Sequence, residues 1–207
     1  MNDKELDRLN AMCAHERKYW DKGLVVAGID EVGRGPLAGP CVAAAVIMPS
    51  GPLIEGVNDS KKLSEKKRQS IYEQIMQHAV AVGIGIVDNF VIDEINILNA
   101  AKRAFATAFN ELDTTPDFVL CDRIGGIDID VDYREFVRGD AISYSIAAAS
   151  IVAKVTRDEM MREYDEVFPM YGFAQHKGYG TAQHIQVIKE NGVSDIHRMS
   201  FLKKILS

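Results

Sequence analysis

Apolar positions along the chain form short unbroken runs in some segments and recur at helical spacing in others. A first run over residues 24–30 predicts a buried strand, and a second over 41–48 predicts another strand after a turn rich in Gly and Pro. Because few residues connect them, we expect antiparallel neighbours, since a parallel pair needs a crossover of about a dozen residues. Further strands are predicted over 80–87 and 117–122.

Helical spacing appears between and after these strands. Ser64 and Thr181 are predicted N-caps, because a side-chain oxygen at such a position can accept from the first free backbone N–H groups of a helix. Two longer helices are predicted from the apolar residues that recur over 95–112 and over 144–155. The second is rich in alanine, which would let it lie close against a sheet.

These elements together predict an α/β fold, a mixed β-sheet flanked by helices. An opening antiparallel pair followed by strands that alternate with helices is typical of this architecture. After Tyr164 the pattern is helical and more basic. We therefore predict a main domain over 1–164 and a small helical C-terminal extension over 165–207.

Composition indicates an ordinary globular protein of the cytoplasm. The 207 residues are 47% hydrophobic and 26% charged, enough for one core with a small appendage. The first residues are polar and acidic, unlike a secretory signal, and the longest apolar stretch, around 142–153, is too short to span a bilayer. Three scattered cysteines favour a reducing compartment over a disulfide framework or a zinc site.

The net charge of −6 argues against a protein that coats nucleic acid without specificity. It does not exclude a nucleic-acid enzyme, because an acidic metal site contributes several negative charges by itself. Basic residues are concentrated in 59–68, where five of ten are Lys or Arg, and again toward the C-terminus. Such runs are usually solvated faces, and this interpretation stays open beside a nucleic-acid contact.

Four carboxylates stand where strands or loops end. Asp30 and Glu31 close a very apolar strand, Asp122 closes another, and Asp140 precedes the alanine-rich helix. A solvated strand end is the simpler interpretation. A site for a hard cation is the alternative, because Mg²⁺ takes oxygen ligands from carboxylates and water.

Ligand sites form at strand ends in open α/β sheets, so these four carboxylates could converge. Four acidic residues around two metal ions would suit in-line phosphodiester hydrolysis, in which one metal activates water and the other stabilises the departing oxygen. Side chains alternate across a strand, so Asp30 and Glu31 can point the same way only if the strand end twists or bulges.

The turn over 33–39 formally matches a dinucleotide-binding fingerprint, but that motif must open a helix, and here a β-branched run follows. The turn could instead present backbone groups to a phosphate or a ribose hydroxyl, or be a tight turn and nothing more. Asp158 is expected on a helix surface, paired locally. A solvated strand or loop is expected at Asp128, Asp130 and Asp132. Polar contacts, without the spacing of metal ligands, are expected at His176, His184 and His197.

Five segments in order along the chain closely resemble the type 2 ribonucleases H, the bacterial ribonuclease HII family. They are 27–40 with Ala-Gly-Ile-Asp-Glu-Val-Gly-Arg-Gly-Pro at its start, 59–63 (Asp-Ser-Lys-Lys-Leu), 147–158, 176–181 (His-Lys-Gly-Tyr-Gly-Thr) and 196–201 (Ile-His-Arg-Met-Ser-Phe). Together they are far more specific than any single motif.

The resemblance implies a ribonuclease H-like fold and an endonuclease that hydrolyses the RNA strand of RNA–DNA hybrids. It also implies cleavage 5′ to single ribonucleotides embedded in duplex DNA, with Mg²⁺ or Mn²⁺ as cofactor and 5′-phosphate and 3′-hydroxyl ends. A role in ribonucleotide removal and RNA primer degradation would follow. We expect a monomer, and the sequence identifies no replication or repair partner.

Site residues carry over from the family by motif. The resemblance implies that the metal ligands and catalytic residues are Asp30, Glu31, Asp122 and Asp140. It also implies that the substrate-binding residues are Gly33, Arg34 and Gly35 at the ribose 2′-hydroxyl, Tyr179 stacked on the following deoxyribose, and Lys61, Lys62, Lys154 and Lys177 near phosphates. The C-terminal extension would contribute to substrate binding.

Two positions leave alternatives open. The family often has Asp-Gly after the strand that bears the third carboxylate, whereas Asp122 is followed here by Arg123 and Ile124, so the next loop is expected to differ. Tyr179 could instead be a packed tyrosine that uses its hydroxyl as a polar handle. A binding module without catalysis, or another nuclease of the same fold such as a resolvase or a type 1 ribonuclease H, are the competing functions.

Overall fold

A computed structural model describes residues 1–206 as a mixed five-stranded sheet with helices on both faces. The strands are β1 (Val26–Val32), β2 (Cys41–Ile47), β3 (Ala81–Val87), β4 (Phe118–Asp122) and β5 (Tyr133–Phe136). Their order across the sheet is β3-β2-β1-β4-β5. The predicted α/β class is confirmed.

Strand directions follow from the connections. β1 and β2 are antiparallel, as their short connection predicted, and β3 continues antiparallel to β2. β4 lies parallel to β1, and β5 parallel to β4. The sequence did not predict β5, an edge strand of four residues in which only Phe136 is buried, because so little of it shows a hydrophobic pattern.

Helices fill the connections and the C-terminal part. They are α1 (Asp3–Met12), α2 (Arg17–Trp20), α3 (Glu65–His78), α4 (Asn89–Asn110), α5 (Tyr144–Val167), α6 (Phe173–His176), α7 (Ala182–Asn191) and α8 (Met199–Leu206), with short 3-10 helices at Ser60–Lys62 and Gly139–Ala141. Both predicted caps are present: Ser64 accepts from the Lys67 N–H and Thr181 from the His184 N–H. Of the residues described, none lies in a helix long and apolar enough to cross a membrane.

The first turns of α5 lie against β1 and β2 at very short range. Residues 144–153 of α5 are all buried, and they include four alanines. A Cβ at Gly28 of β1 would stand only 2.1 Å from the carbonyl carbon of Ser145, so only glycine lets the helix lie this close. On the opposite face of the sheet, α4 packs through Ala104, Phe105 and Ala108.

The C-terminal helices share a small core with α5 and with the turn after β1. Met161 of α5 and Ala38 of that turn pack with Phe173, Ile188 and Leu202. Since α5 continues to Val167, the predicted boundary at residue 164 falls inside this helix. The division into domains stays a prediction, and Ser207, the last residue of the predicted extension, lies outside the described residues.

Candidate metal centre and substrate groove

Two parallel strand ends bring the first three carboxylates together. Ile29 of β1 pairs with Cys121 of β4, so the next residues, Asp30 and Asp122, lie side by side. One carboxylate oxygen from each of Asp30, Glu31 and Asp122 lies within 4.8 Å of the others. Within residues 1–206, these three form the one cluster of His, Cys, Asp or Glu side chains that could hold a metal ion.

Glu31 reaches this cluster without a bulge. The pairing of β1 with β2 is continuous from Ala27 to Val32, and strand alternation places Glu31 on the sheet face opposite to that of Asp30. The sequence had suggested that a twist or bulge would be needed. The continuous pairing excludes the bulge, one of these two alternatives.

Asp140 lies beside this cluster in the 3-10 helix that precedes α5. The backbone N–H of the preceding residue, Gly139, donates to Asp122 Oδ1 at 2.7 Å, which ties this turn to the end of β4. Asp140 Oδ2 is 4.0 Å from Lys61 Nζ, and Asp59 raises the pKa of Asp140 in addition to the main effect of burial. The fourth predicted carboxylate is therefore adjacent to the other three but outside their tightest grouping.

The cluster carries more negative charge than its surroundings compensate. Burial raises the pKa of Asp30 well above its ordinary value, and the nearby charges of Glu31, Asp122 and Asp140 raise it further. Burial also raises the pKa of Glu31, although Arg34, whose Nη1 donates to Glu31 Oε1 at 3.3 Å, opposes the shift. These groups would be stabilised by a bound cation.

The oxygen donors of this site fit a hard divalent cation. Glu31 Oε2 is buried and has no hydrogen-bond partner among the described residues, so it retains lone pairs for a ligand. All three clustered donors are carboxylates, the ligand type that Mg²⁺ and Mn²⁺ prefer, and none is a thiolate or imidazole.

Cation binding is expected to release protons. Because the pKa of Asp30 is raised, its carboxyl group in the metal-free protein stays protonated in a pH window above the ordinary pKa of an aspartic acid. To become a metal ligand, the group must lose this proton. The apparent affinity of the site for Mg²⁺ or Mn²⁺ should therefore increase as the pH rises through that window. Calorimetric titration with Mg²⁺ or Mn²⁺ in buffers of different ionisation enthalpy measures the release, and a binding enthalpy independent of the buffer would contradict it.

A groove opens directly beside the carboxylates. It has a volume of about 210 Å³ and is lined by Glu31, Val32, Gly33, Arg34, Gly35, Lys61 and Tyr179. A Cβ added to Gly35 would stand 3.7 Å from Tyr179 Cε1, so the Gly-Arg-Gly turn and the tyrosine ring form facing walls. Tyr179 is 43% exposed, so it is not a core residue.

The predicted basic residues differ in where the structure places them. Lys61 lines the groove, and Lys62 is exposed on the same turn. Lys154 donates to Asp158 Oδ1 at 2.6 Å, and the ammonium of Lys177 donates to the Ala174 carbonyl oxygen. The last two ammonium groups therefore already have protein partners.

Two buried arginines that sequence reasoning did not single out hold the walls of the groove. Arg198 donates to the carbonyl oxygens of Gly33, Arg34, Pro36 and Gly39, at distances of 2.7 to 3.3 Å. Arg157 donates to the carbonyl oxygens of Ala38, Pro40 and Lys177, at 2.9 to 3.0 Å. Both side chains are fully buried, and within residues 1–206 neither forms an ion pair. Their presence inside the family-like segments was the available signal.

Asp158, a third buried charged residue near the groove, does not lie where the sequence predicted. Asp158 was expected on a helix surface, but it is 4% exposed and lies between Lys154 and Arg68. Arg68 in turn donates to the carbonyl oxygens of Ser60 and Leu63, the two ends of the turn that carries Lys61. Asp158 thus fixes that turn against α5.

The loop after Asp122 has a defined conformation. Glu135 Oε1 accepts from the backbone N–H groups of Ile124, Gly125 and Gly126, at 2.8 to 3.2 Å. These bonds lower the pKa of Glu135 against the effect of burial. Farther along the same loop, Asp128, Asp130 and Asp132 are exposed, in agreement with a solvated segment.

Comparison with known proteins gives one consistent family. The family model described as Ribonuclease HII matches residues 27–204. The chain is 54% identical over 205 residues to the ribonuclease HII of Acetivibrio thermocellus, covering 99% of this chain and 80% of that protein. It is 50% identical over 206 residues to the one of Ruminiclostridium cellulolyticum, with 99% and 81% covered. The crystal structure of the ribonuclease H2 from Pyrococcus horikoshii superimposes with a TM-score of 0.75 at 25% identity, covering 88% of this chain and 97% of that one.

Proposed function

The chain belongs to the ribonuclease HII family, and from this premise we propose that it cuts 5′ to single ribonucleotides embedded in duplex DNA. As a member of that family it is a metal-dependent endonuclease of the ribonuclease H type, acting on RNA–DNA hybrids. The proposal adds the embedded substrate, catalysis with two divalent cations, and products with 5′-phosphate and 3′-hydroxyl ends.

One observation carries the proposal. The backbone of Gly33 to Gly35, the ring of Tyr179 and the carboxylate of Glu31 line one groove. A protein distinguishes RNA from DNA at a given position by the ribose 2′-hydroxyl. A contact with the 2′-hydroxyl beside the acidic cluster would place a single ribonucleotide at the site of cleavage, whether its neighbours are ribonucleotides or deoxyribonucleotides.

Each side chain has a role in this proposal. Asp30, Glu31, Asp122 and Asp140 would hold the cations. When bound, these cations supply an activated water and stabilise the departing oxygen.

The surrounding residues would position the substrate. The backbone of Gly33, Arg34 and Gly35 would contact the 2′-hydroxyl, and Tyr179 would stack on the next deoxyribose. Lys61 is 81% exposed on its side chain and lies near Asp140, where it could meet a phosphate adjoining the cut. Lys62, Lys154 and Lys177 are proposed farther along the phosphate backbone, the last two after exchange of their present partners.

The cellular role that follows is removal of ribonucleotides from DNA and degradation of RNA primers, by a monomer in the cytoplasm. Either Mg²⁺ or Mn²⁺ would serve, because both accept carboxylate oxygens.

The test is cleavage of labelled duplex DNA with one ribonucleotide, in Mg²⁺, in Mn²⁺ and in EDTA. We expect a metal-dependent cut on the 5′ side of the ribonucleotide and none in EDTA. Cleavage of long RNA–DNA hybrids without this cut would instead favour the specificity of a type 1 ribonuclease H. It would remove the proposed junction contacts of the Gly-Arg-Gly turn and of Tyr179, while leaving the metal site in place.

A further inference from the structure

Two buried histidines, His184 and His197, form a hydrogen-bonded chain that ends on the backbone of Tyr179, and a third, His176, stacks on it. His184 Nδ1 lies 2.9 Å from the Tyr179 carbonyl oxygen, and His184 Nε2 lies 3.0 Å from His197 Nε2. At the far end, Ser194 donates its backbone N–H to His197 Nδ1 at 2.9 Å. None of these rings touches the acidic cluster, so the proposed chemistry leaves them without a role.

The fixed groups at the two ends determine where each proton is. A backbone N–H only donates, so His197 Nδ1 accepts from Ser194, and the proton of neutral His197 is on Nε2. That proton is donated to His184 Nε2, which leaves the proton of His184 on Nδ1, directed at the Tyr179 carbonyl oxygen. Every group in the chain is satisfied when both rings are neutral, and in only this arrangement.

Burial keeps the two rings neutral. It lowers the pKa of His184, and it lowers the pKa of His197 to about 4, with the neighbouring imidazoles adding to the effect on both. A second proton on His184 would place an N–H against the N–H of His197. The hydrogen-bond chain therefore keeps one tautomer in the ordinary pH range.

The ring of His184 is also held in place by its neighbours. It stacks on His176 with 4.2 Å between ring centroids, and the edge of Phe173 packs against it at 5.5 Å. His176 in turn accepts the Gly178 N–H at Nδ1 and bonds the Tyr171 carbonyl oxygen at 2.7 Å through Nε2. The Tyr179 carbonyl oxygen and the N–H of the preceding residue, Gly178, are thus both bonded to one stack of histidine rings.

We propose that His184 is a positioning residue for Tyr179, and that its Nδ1–H bond to the Tyr179 carbonyl, in the tautomer fixed by His197, sets how the tyrosine ring faces Gly35. The ring itself is partly exposed, so its placement depends on the backbone that carries it. This inference rests on the proposed contact of Tyr179 with the nucleotide that follows the ribonucleotide.

The first experiment measures the protonated nitrogen directly. Long-range nitrogen–proton NMR spectra of the full chain near neutral pH, assigned with single His→Gln variants, should show His184 protonated at Nδ1 and His197 at Nε2. His184 protonated at Nε2, or doubly protonated, would overturn the proposal. This measurement needs no substrate, so its result does not depend on the proposed function.

The second experiment uses a matched pair of amide substitutions. The amide nitrogen of Asn occupies the position of imidazole Nδ1, whereas that of Gln occupies the position of Nε2. His184→Asn should therefore keep the donor to Tyr179, and His184→Gln should lose it. We expect His184→Gln to lose about 5- to 10-fold in its rate on a single ribonucleotide relative to a continuous hybrid, as for one neutral hydrogen bond, with His184→Asn close to the wild type.

Controls separate positioning from folding. His78 is exposed on α3 outside the stack, and His78→Gln should change neither rate. Equal losses on both substrates, or equal behaviour of the Asn and Gln variants, would reject the positioning role. If both His184 variants unfold, a second pair of variants tests the same proposal. His197→Gln keeps a donor toward His184 and should behave like the wild type, whereas His197→Asn lacks that donor and should lose rate on the single ribonucleotide. Failure of the wild type to cut a single ribonucleotide would count against the proposed function, while the tautomers would still be measured.

Discussion

Replacing Asp30 with Asn is expected to reduce kcat by on the order of 10³-fold or more with the fold intact, equivalent to about 4 kcal/mol of transition-state stabilisation. Asn has nearly the same shape but no charge, and Asp30 is the carboxylate whose pKa is raised by burial and further by the other three carboxylates. Single-turnover cleavage of a hybrid at saturating Mg²⁺ and at saturating Mn²⁺ measures the loss.

The same substitution should stabilise the metal-free protein. Because folding raises the pKa of Asp30, the folded state holds more protons than the unfolded state above the ordinary carboxyl value, and stability falls as pH increases through that window. Asn removes this cost, so the unfolding midpoint without metal should increase. Asp128→Asn, at an exposed loop position, is the control for both measurements. Full turnover of Asp30→Asn in either metal would exclude the assigned site.

Replacing Tyr179 with Ala is expected to lower cleavage at a single embedded ribonucleotide by roughly 10- to 100-fold, the effect of losing one stacked aromatic ring. Long hybrids should lose much less, because adjoining ribonucleotides offer alternative registers for cleavage. Tyr179→Phe is the matched control: it keeps the ring and should keep most of the selectivity. An equal loss on both substrates in the Ala variant would reject the stacking role.

The carboxylate positions could be predicted because charged side chains stand there directly beside strongly apolar segments. Asp30 and Asp122 follow apolar strands, where a charge is costly unless it is compensated, and that cost is visible in the sequence. Their proximity needed one more fact, the parallel pairing of β1 with β4, which joins residues about ninety positions apart. Their roles as ligands remain predictions.

The supporting residues could not be predicted in this way. Arg157 and Arg198 are polar residues that hydropathy assigns to the surface, yet both are fully buried against carbonyl oxygens. Asp158 was assigned to a helix face for the same reason. Their partners come from loops distant in sequence, and no local pattern indicates which backbone oxygens will lack a donor. β5 was missed because its four residues show no clear strand pattern, and the strand forms by pairing with β4.

The bonds of Arg198 have a consequence for when the enzyme becomes competent during its own synthesis. Its partners on the Gly33 to Gly39 turn lie 159 to 165 residues earlier in the chain. Because a chain emerges from the ribosome N-terminal end first, the strands that bear the carboxylates can form well before this arginine is available. A nascent chain would therefore carry its acidic cluster while the turn proposed to contact the ribose is not yet held by Arg198. The conformation of this turn would therefore be fixed only after Arg198 has been made and has reached its carbonyl partners.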